Sequence, residues 1–442
     1  MKSVDLIVKA DYVLTMNQDL AVIEGGAIAI KDSKIAAVDT AAQITQNYSA
    51  SKIIKGEGKV AFPGLVNTHT HAAMVYFRGL ADDLPLKVWL EEHIWPAEAK
   101  WLSPEFVGDA VELACLEMLK AGITTYTDMY FFGDAVAQST RKIGMRAVVG
   151  SGIVDFPTAT GSNADDYLAH AEQFIKKWKG DELIVPSIAD HSAYACSPET
   201  LKKSKALADR HDVLLQIHLS ETEWEVNEIL SRYGRRPVAH LDALGLLDER
   251  LITAHCVWLE PDEITMLAKS KTSVSHCIES NLKLASGIAP VVKMLNAGVR
   301  VSFGTDGAAS NNDLSILSEM STAAKVHKAL SGDPTALSAK QALLMGTRHG
   351  AEAIGLGSLC GSLEKGKSAD IALADLNRPH LIPLYDIYSH IVYSMNAADI
   401  DTVLVNGKIV LEGRKLVTAD EAEIMAKAVQ WGNKIKRANS HS

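Results

Sequence analysis

The sequence predicts an α/β protein: a TIM-like (β/α)8 barrel joined to a small β-sandwich built from both chain ends. Three observations lead there. Apolar, β-branched runs alternate with amphipathic helical stretches over about three hundred central residues. Strand-rich blocks flank that region on both sides. Most of the central strand candidates end in histidine or aspartate.

The N-terminal block reads as a hairpin, with "VDLIVKADYVLTM" and "AIAIKDSKIAAV" arranged around Asp32 and Ser33. The block near the other end, "SADIALADL" followed by "DTVLVNGKIVLEG", carries the hairpin turn Asn406-Gly407. Residues 1–59 and 363–417 are therefore expected to supply the two sandwich halves, and 60–362 the barrel. A T-x-x-E pattern, Thr418 to Glu421, predicts a helix and tail over 418–442.

The eight barrel-strand candidates are "KVAFPGLVN", "GITTYTDM", "MRAVVGSGIV", "LIVPSIAD", "VLLQIHLSE", "LITAHCVW", "TSVSHCIE" and "VRVSFGTDG". Between them lie helical stretches such as "PEFVGDAVELACLEMLKAG" and "PETLKKSKALADRHD". A doubly wound open sheet would place a Gly-rich phosphate loop after its first strand. None follows any strand here.

Composition narrows the function classes. Hydrophobic residues are 47% and charged residues 22%, ordinary for a globular protein. No apolar run reaches bilayer-spanning length. The segment "MKSVDLIVKADYVL" is broken by Asp5, Lys9 and Asp11 and does not read as a signal peptide. Five scattered cysteines without a C-x-x-C pair fit reduced thiols and a cytoplasmic location. A net charge of −10 without a basic run argues against nucleic-acid partners, so a small-molecule substrate is expected. A homo-oligomeric assembly is the expectation for the chain.

Barrel enzymes draw their catalytic groups from the C-terminal ends of several strands. In "FPGLVNTHTH", His69 and His71 alternate, so in a strand both project from one face. Further strand ends carry His191, His218, His255, His276 and Asp306, with Glu221 three residues after His218. A lone buried histidine is usually a satisfied core residue, but six such strand ends out of eight favour a metal site. His69, His71, His218 and Asp306 supply three imidazoles and a carboxylate, a set suited to Zn²⁺, with Fe²⁺ compatible. The fourth strand run, "IVPSIADHSAY", has no lysine to bridge a second ion, so one metal per chain is expected.

These residues resemble the amidohydrolase superfamily: H-x-H on strand one, single histidines on strands five and six, and an aspartate on strand eight. "SNLKLASGIAP", "GTDGAASNN" and "GLVNTHTHAAM" are most similar to its 5-methylthioadenosine/S-adenosylhomocysteine deaminase family. The resemblance implies hydrolytic removal of the 6-amino group of an adenosine-type nucleoside. Triazine hydrolases and guanine or cytosine deaminases share the metal motif and remain as alternatives, with a non-catalytic assembly protein ranked last.

Under that resemblance Asp306 both ligates the metal and accepts a proton from the attacking water. Glu221 protonates the ring nitrogen, although its position also suits a first-turn helix charge. His255 either orients the nucleophile or is a further ligand. Glu98 accepts the ribose hydroxyls, His191 contacts purine or ribose, and Glu221 and Asp306 also face the substrate. His276 and "ESNLK" stand behind the ligands, and Trp89 and Trp95 are candidate walls for the base. One departure concerns the substrate's far end. Where some family members carry an arginine after strand three, this chain has Ser151, and a hydroxyl cannot replace a guanidinium against a carboxylate. That favours methylthioadenosine over S-adenosylhomocysteine.

Overall fold

The computed structural model describes residues 1–439. Its centre is an eight-stranded parallel sheet with the strands in sequential order. They are β1 (Leu65–Thr70), β2 (Ile123–Tyr130), β3 (Arg146–Ile153), β4 (Ile184–Ser192), β5 (Leu215–Leu219), β6 (Leu251–His255), β7 (Ser273–His276) and β8 (Val301–Phe303). The ends of this sheet meet through side chains. Thr68 Oγ1 donates to the Phe303 carbonyl at 2.9 Å, and the Thr305 N–H donates to Asn67 Oδ1 at 3.1 Å. Gly304 permits that approach, because a Cβ there would lie 2.7 Å from the His69 Cβ.

The chain-end sandwich is one continuous nine-stranded mixed sheet. Its seam is Lys59–Pro63, parallel to Lys2–Leu14 and antiparallel to Ile371–Asp375. The run expected as a single first barrel strand therefore divides at Gly64: "KVAFP" joins the terminal sheet and "LVNTHT" becomes β1. Both anticipated hairpins form. Asp32 and Ser33 have φ of 49° and 68°, and Asn406 and Gly407 have 50° and 73°, as a two-residue primed turn requires. These turns touch each other. A Cβ on Gly407 would sit 2.6 Å from the Ser33 Cα, so only glycine fits there.

Helices begin where serine, threonine or asparagine can cap them. Ser103, Asn163, Ser197, Thr222 and Ser315 each accept the N–H three residues on, a cap that contributes about 1 kcal/mol. Helix Pro104–Lys120 buries Phe106, Val107, Ala110, Val111, Ala114 and Leu119, and each large apolar chain adds roughly 1.5–3 kcal/mol by leaving water. The terminal helix, Glu421–Asn439, packs on it, but Thr418 does not cap that helix. The Thr418 hydroxyl donates instead to the Ile143 carbonyl, and Asp420 Oδ1 accepts the Ala422 N–H. Glu421 is drawn away by Lys120 at 2.7 Å. All five thiols are free and buried. No helix among the described residues is long and apolar enough to cross a membrane.

Candidate metal centre

The C-terminal ends of the barrel strands converge on one cluster. His69 and His71 project together from β1, and Asp306 follows β8. Asp306 Oδ1 lies 3.5 Å from His69 Nε2 and 3.2 Å from His71 Nε2. His218, on β5, brings its Nε2 to 3.3 Å from that of His71. His255, ending β6, also lies close. The ligand atoms of His69, His218 and His255 fall within 4.8 Å of one another, as do those of His69, His71 and Asp306.

The imidazoles are oriented from behind. His71 Nδ1 lies 2.6 Å from the Met129 carbonyl and His218 Nδ1 2.6 Å from the His191 carbonyl. A carbonyl only accepts, so both rings carry a proton on Nδ1 and turn an Nε2 lone pair inward. Buried His69 Nε2 has no hydrogen-bond partner. Three imidazole nitrogens converging beside a carboxylate are the donor set a divalent metal requires, so these residues fit Zn²⁺. Serine hydroxyls of Ser280 and Ser310 donate to Asp306 Oδ2 at 2.7 and 2.8 Å, leaving Oδ1 directed at the histidines.

On His71 burial opposes charge, but the Asp306 carboxylate and the Met129 carbonyl beside it raise its pKa to about 9, so a cation at this site displaces a proton from its Nε2. Burial pushes the His69 imidazole down to about 4 and holds His218 well below its usual range. Burial also works against charge on Asp306, but His69 and His71 beside it keep its carboxyl well below ordinary. The backbone is left-handed at Ser220, His255 and Asp306, with φ of 51°, 72° and 61°. Such strain outside glycine is concentrated at functional sites.

Above the cluster lies a cavity of about 590 Å³, a size suited to a small ligand. Glu221, Glu98 and His191 all line it, with His71, His218, His255 and Asp306 at its floor. Glu221 Oε2 is 3.8 Å from His255 Nε2, and burial raises its pKa. Glu98 comes from the helical stretch over 86–101 that follows β1 and lines the cavity. Tyr130 donates to its Oε1 at 2.6 Å, and burial moves its carboxyl up to about 7. Trp95, near Phe156, and Trp89 both line the cavity, the Trp89 ring fixed by its Nε1 donating to the Ala81 carbonyl. His276 lies off the cavity, its Nε2 3.1 Å from that of His327. Ser151 is also outside the lining, which is formed there by Gly152, Ile153 and Val154.

Several supporting residues escaped the sequence reading. Glu225 accepts the N–H groups of Ser220 and Glu221 at 2.9 and 2.8 Å, clamping the turn that carries Glu221. Asp128 does the same for Ala72 after β1, and Glu319 for Ile278 after β7. Only Glu225 left a signal, the T-x-x-E spacing from Thr222. Its carboxylate reaches past the cap to the two preceding residues.

A barrel with this H-x-H, histidine and aspartate rim defines a metal-dependent hydrolase, and the chain belongs to the amidohydrolase family, whose model matches residues 60–410. The particular relatives are deaminases. A 5-methylthioadenosine/S-adenosylhomocysteine deaminase of Thermodesulfovibrio yellowstonii is 54% identical over 434 residues, 98% of this chain and 99% of that protein. A 5'-deoxyadenosine deaminase of Methanosarcina acetivorans is 43% identical, covering 96% of each chain. The crystal structure of an adenosine deaminase from Xanthomonas campestris with bound zinc superposes with a TM-score of 0.97 at 40% identity, covering 99% of each chain.

Proposed function

We propose that this protein is a hydrolytic deaminase of 5'-substituted adenosines, converting the 6-amino purine to the inosine analogue and ammonia. The carrying observation is one cavity that combines the His/Asp cluster with two acidic side chains, Glu221 and Glu98. His69, His71, His218 and Asp306 hold one Zn²⁺ per chain. When bound, the ion supplies the Lewis acidity that makes water nucleophilic near neutral pH.

The chain's own groups carry the protons. Asp306 Oδ1 accepts one from the attacking water. Glu221, whose pKa burial raises, delivers one to the ring nitrogen as C6 becomes tetrahedral. The proton held by Asp306 passes to the amine, the C6–N bond breaks and ammonia leaves, while the C6 hydroxyl proton returns to Glu221. His255 aligns the nucleophile from its position 3.8 Å from Glu221. Glu98, oriented by Tyr130, accepts the ribose hydroxyls, and His191 contacts the nucleoside. The enzyme acts in the cytoplasm on a diffusible substrate.

The 5' end of that substrate is best left uncharged. Among the described residues, neither lysine nor arginine lines this cavity. Lys87 and Lys283 line the one adjoining it, where Lys283 is already paired with Asp82, so a homocysteine carboxylate gains no cationic partner beside the reacting groups. Comparing kcat/KM for methylthioadenosine, S-adenosylhomocysteine, adenine and a chlorotriazine tests the reading. The expected order puts methylthioadenosine at least level with S-adenosylhomocysteine and far above adenine, with no chloride released from the triazine. Efficient turnover of free adenine removes the role of Glu98, and chloride release from the triazine overturns the deaminase assignment.

A further inference from the structure

Whether His255 ligates or aligns, it acts through Nε2, and that atom's character depends on where the ring carries its proton. For His71 and His218 a backbone carbonyl settles the matter. For His255 the partner is a side chain: Nδ1 lies 2.9 Å from Asn281 Oδ1. We propose that Asn281 is a positioning residue whose amide oxygen accepts the His255 Nδ1 proton and thereby turns the Nε2 lone pair into the reaction cavity. The proposal deepens the metal-dependent reading above and rests on it.

An amide can present either end, but only one suits this site. Reversing it would offer Asn281 N–H to Nδ1 and force the ring proton onto Nε2. That proton would then point at His69 and His218, whose ligand atoms lie within 4.8 Å of the His255 nitrogen. A donor aimed into that group would repel a cation and find no partner within hydrogen-bond range, since Glu221 is 3.8 Å away. Donation from His255 Nδ1 leaves the cost elsewhere. Asn281 Nδ2 is buried without a partner, and an unsatisfied buried donor persists when another interaction outweighs it.

Asn281 is also fixed in place. It lies on the short helix Ile278–Lys283 after β7 and is fully buried, and its carbonyl accepts the Ser286 N–H at 2.9 Å. The helix start is held by Glu319 through the Ile278 N–H. One turn of this helix serves two members of the site, because Ser280, the preceding residue, donates to Asp306. The side chain thus has little freedom to rotate, and its amide carries the assignment.

Two measurements test this on the zinc-loaded enzyme. Asn281→Ala removes the acceptor and is expected to lower kcat about 10–100-fold with KM within about threefold. Asn281→Asp still accepts but cannot donate, and is expected to keep kcat within about threefold of wild type. Equal loss in both variants, or no loss in N281A, overturns the proposal. Neutron diffraction from deuterated wild-type crystals reads the proton itself without substrate. A deuteron on His255 Nδ1 supports the proposal, and one on Nε2 overturns it. That result stands even if adenosines prove not to be the substrate, so failure of the functional reading and of this one are distinguishable.

Discussion

The two ends of the barrel bury charge in opposite ways. At the N-terminal end Arg146, the first residue of β3 and 1% exposed, meets Asp370 of the terminal sheet at 3.1 Å. Its other nitrogens donate to Ser368 Oγ and the Glu182 carbonyl, and Asp370 also accepts the Asn406 N–H. Every charge there is answered within the protein. At the C-terminal end Asp306 faces two imidazoles, one with an unpartnered Nε2, and the backbone at Asp306 is left-handed. The first arrangement locks two sheets together. The second keeps donors and acceptors available to a metal and a substrate. Changes at the two ends should therefore separate stability from chemistry.

The largest effect is expected at the rim. His218→Ala should remove most bound zinc and nearly all turnover, as metal analysis and a deamination assay on one sample will show. Full zinc occupancy in that variant would exclude His218 as a ligand. Glu221→Gln is expected to keep the metal while kcat falls ~10²–10⁴-fold, the usual contribution of a positioned proton donor. Near-normal turnover would assign ring protonation to another group.

The barrel floor should behave in reverse. Arg146→Met leaves Asp370 buried without its partner and is expected to cost about 3–5 kcal/mol of stability. Denaturant unfolding measures that loss, while kcat per folded molecule stays near wild type. A variant that loses turnover without losing stability would contradict the division between the two ends.

Glu98 gives the smallest and most pH-dependent effect. Burial moves its carboxyl up to about 7 in the folded protein, above its unfolded range. The folded state thus favours the protonated form. Its stabilising contribution is complete below the unfolded pKa and is lost as pH rises toward about 7. Glu98→Gln should accordingly melt at a higher temperature than wild type above pH 7 and little differently at pH 4. Substrate binding runs the other way, since the ionised form grips the hydroxyls. Wild-type kcat/KM is expected to fall as pH drops through about 7, and the variant should be weaker at pH 8 by about 1–3 kcal/mol. A pH-independent difference between the two would assign this ionisation to another residue.

Much of the architecture was legible because its signals are local. Period-two alternation put His69 and His71 on one face, and β-branched runs between amphipathic helices marked the barrel. Two hairpin turns were readable from residues that tolerate positive φ. Where several local readings compete, sequence falls short. "KVAFPGLVN" is one apolar run, and only the pairing of Lys59–Pro63 with Ile371–Asp375 divides it. Thr418 and Glu421 have cap spacing, yet each finds a better partner on another element.

The amino-acid sequence by itself determined which chemistry was available: three imidazoles, two kinds of carboxylate and a barrel to present them at strand ends. It did so because strand and helix periodicity act over a few residues. Only the tertiary structure decided how those groups are aimed. The carbonyl behind His71 lies 58 residues away, the amide behind His255 26, and Asn67 bridges 238 residues to Thr305. Buried polar atoms must be satisfied by whatever the fold brings within about 3 Å, and no local pattern records partners that chain folding alone assembles.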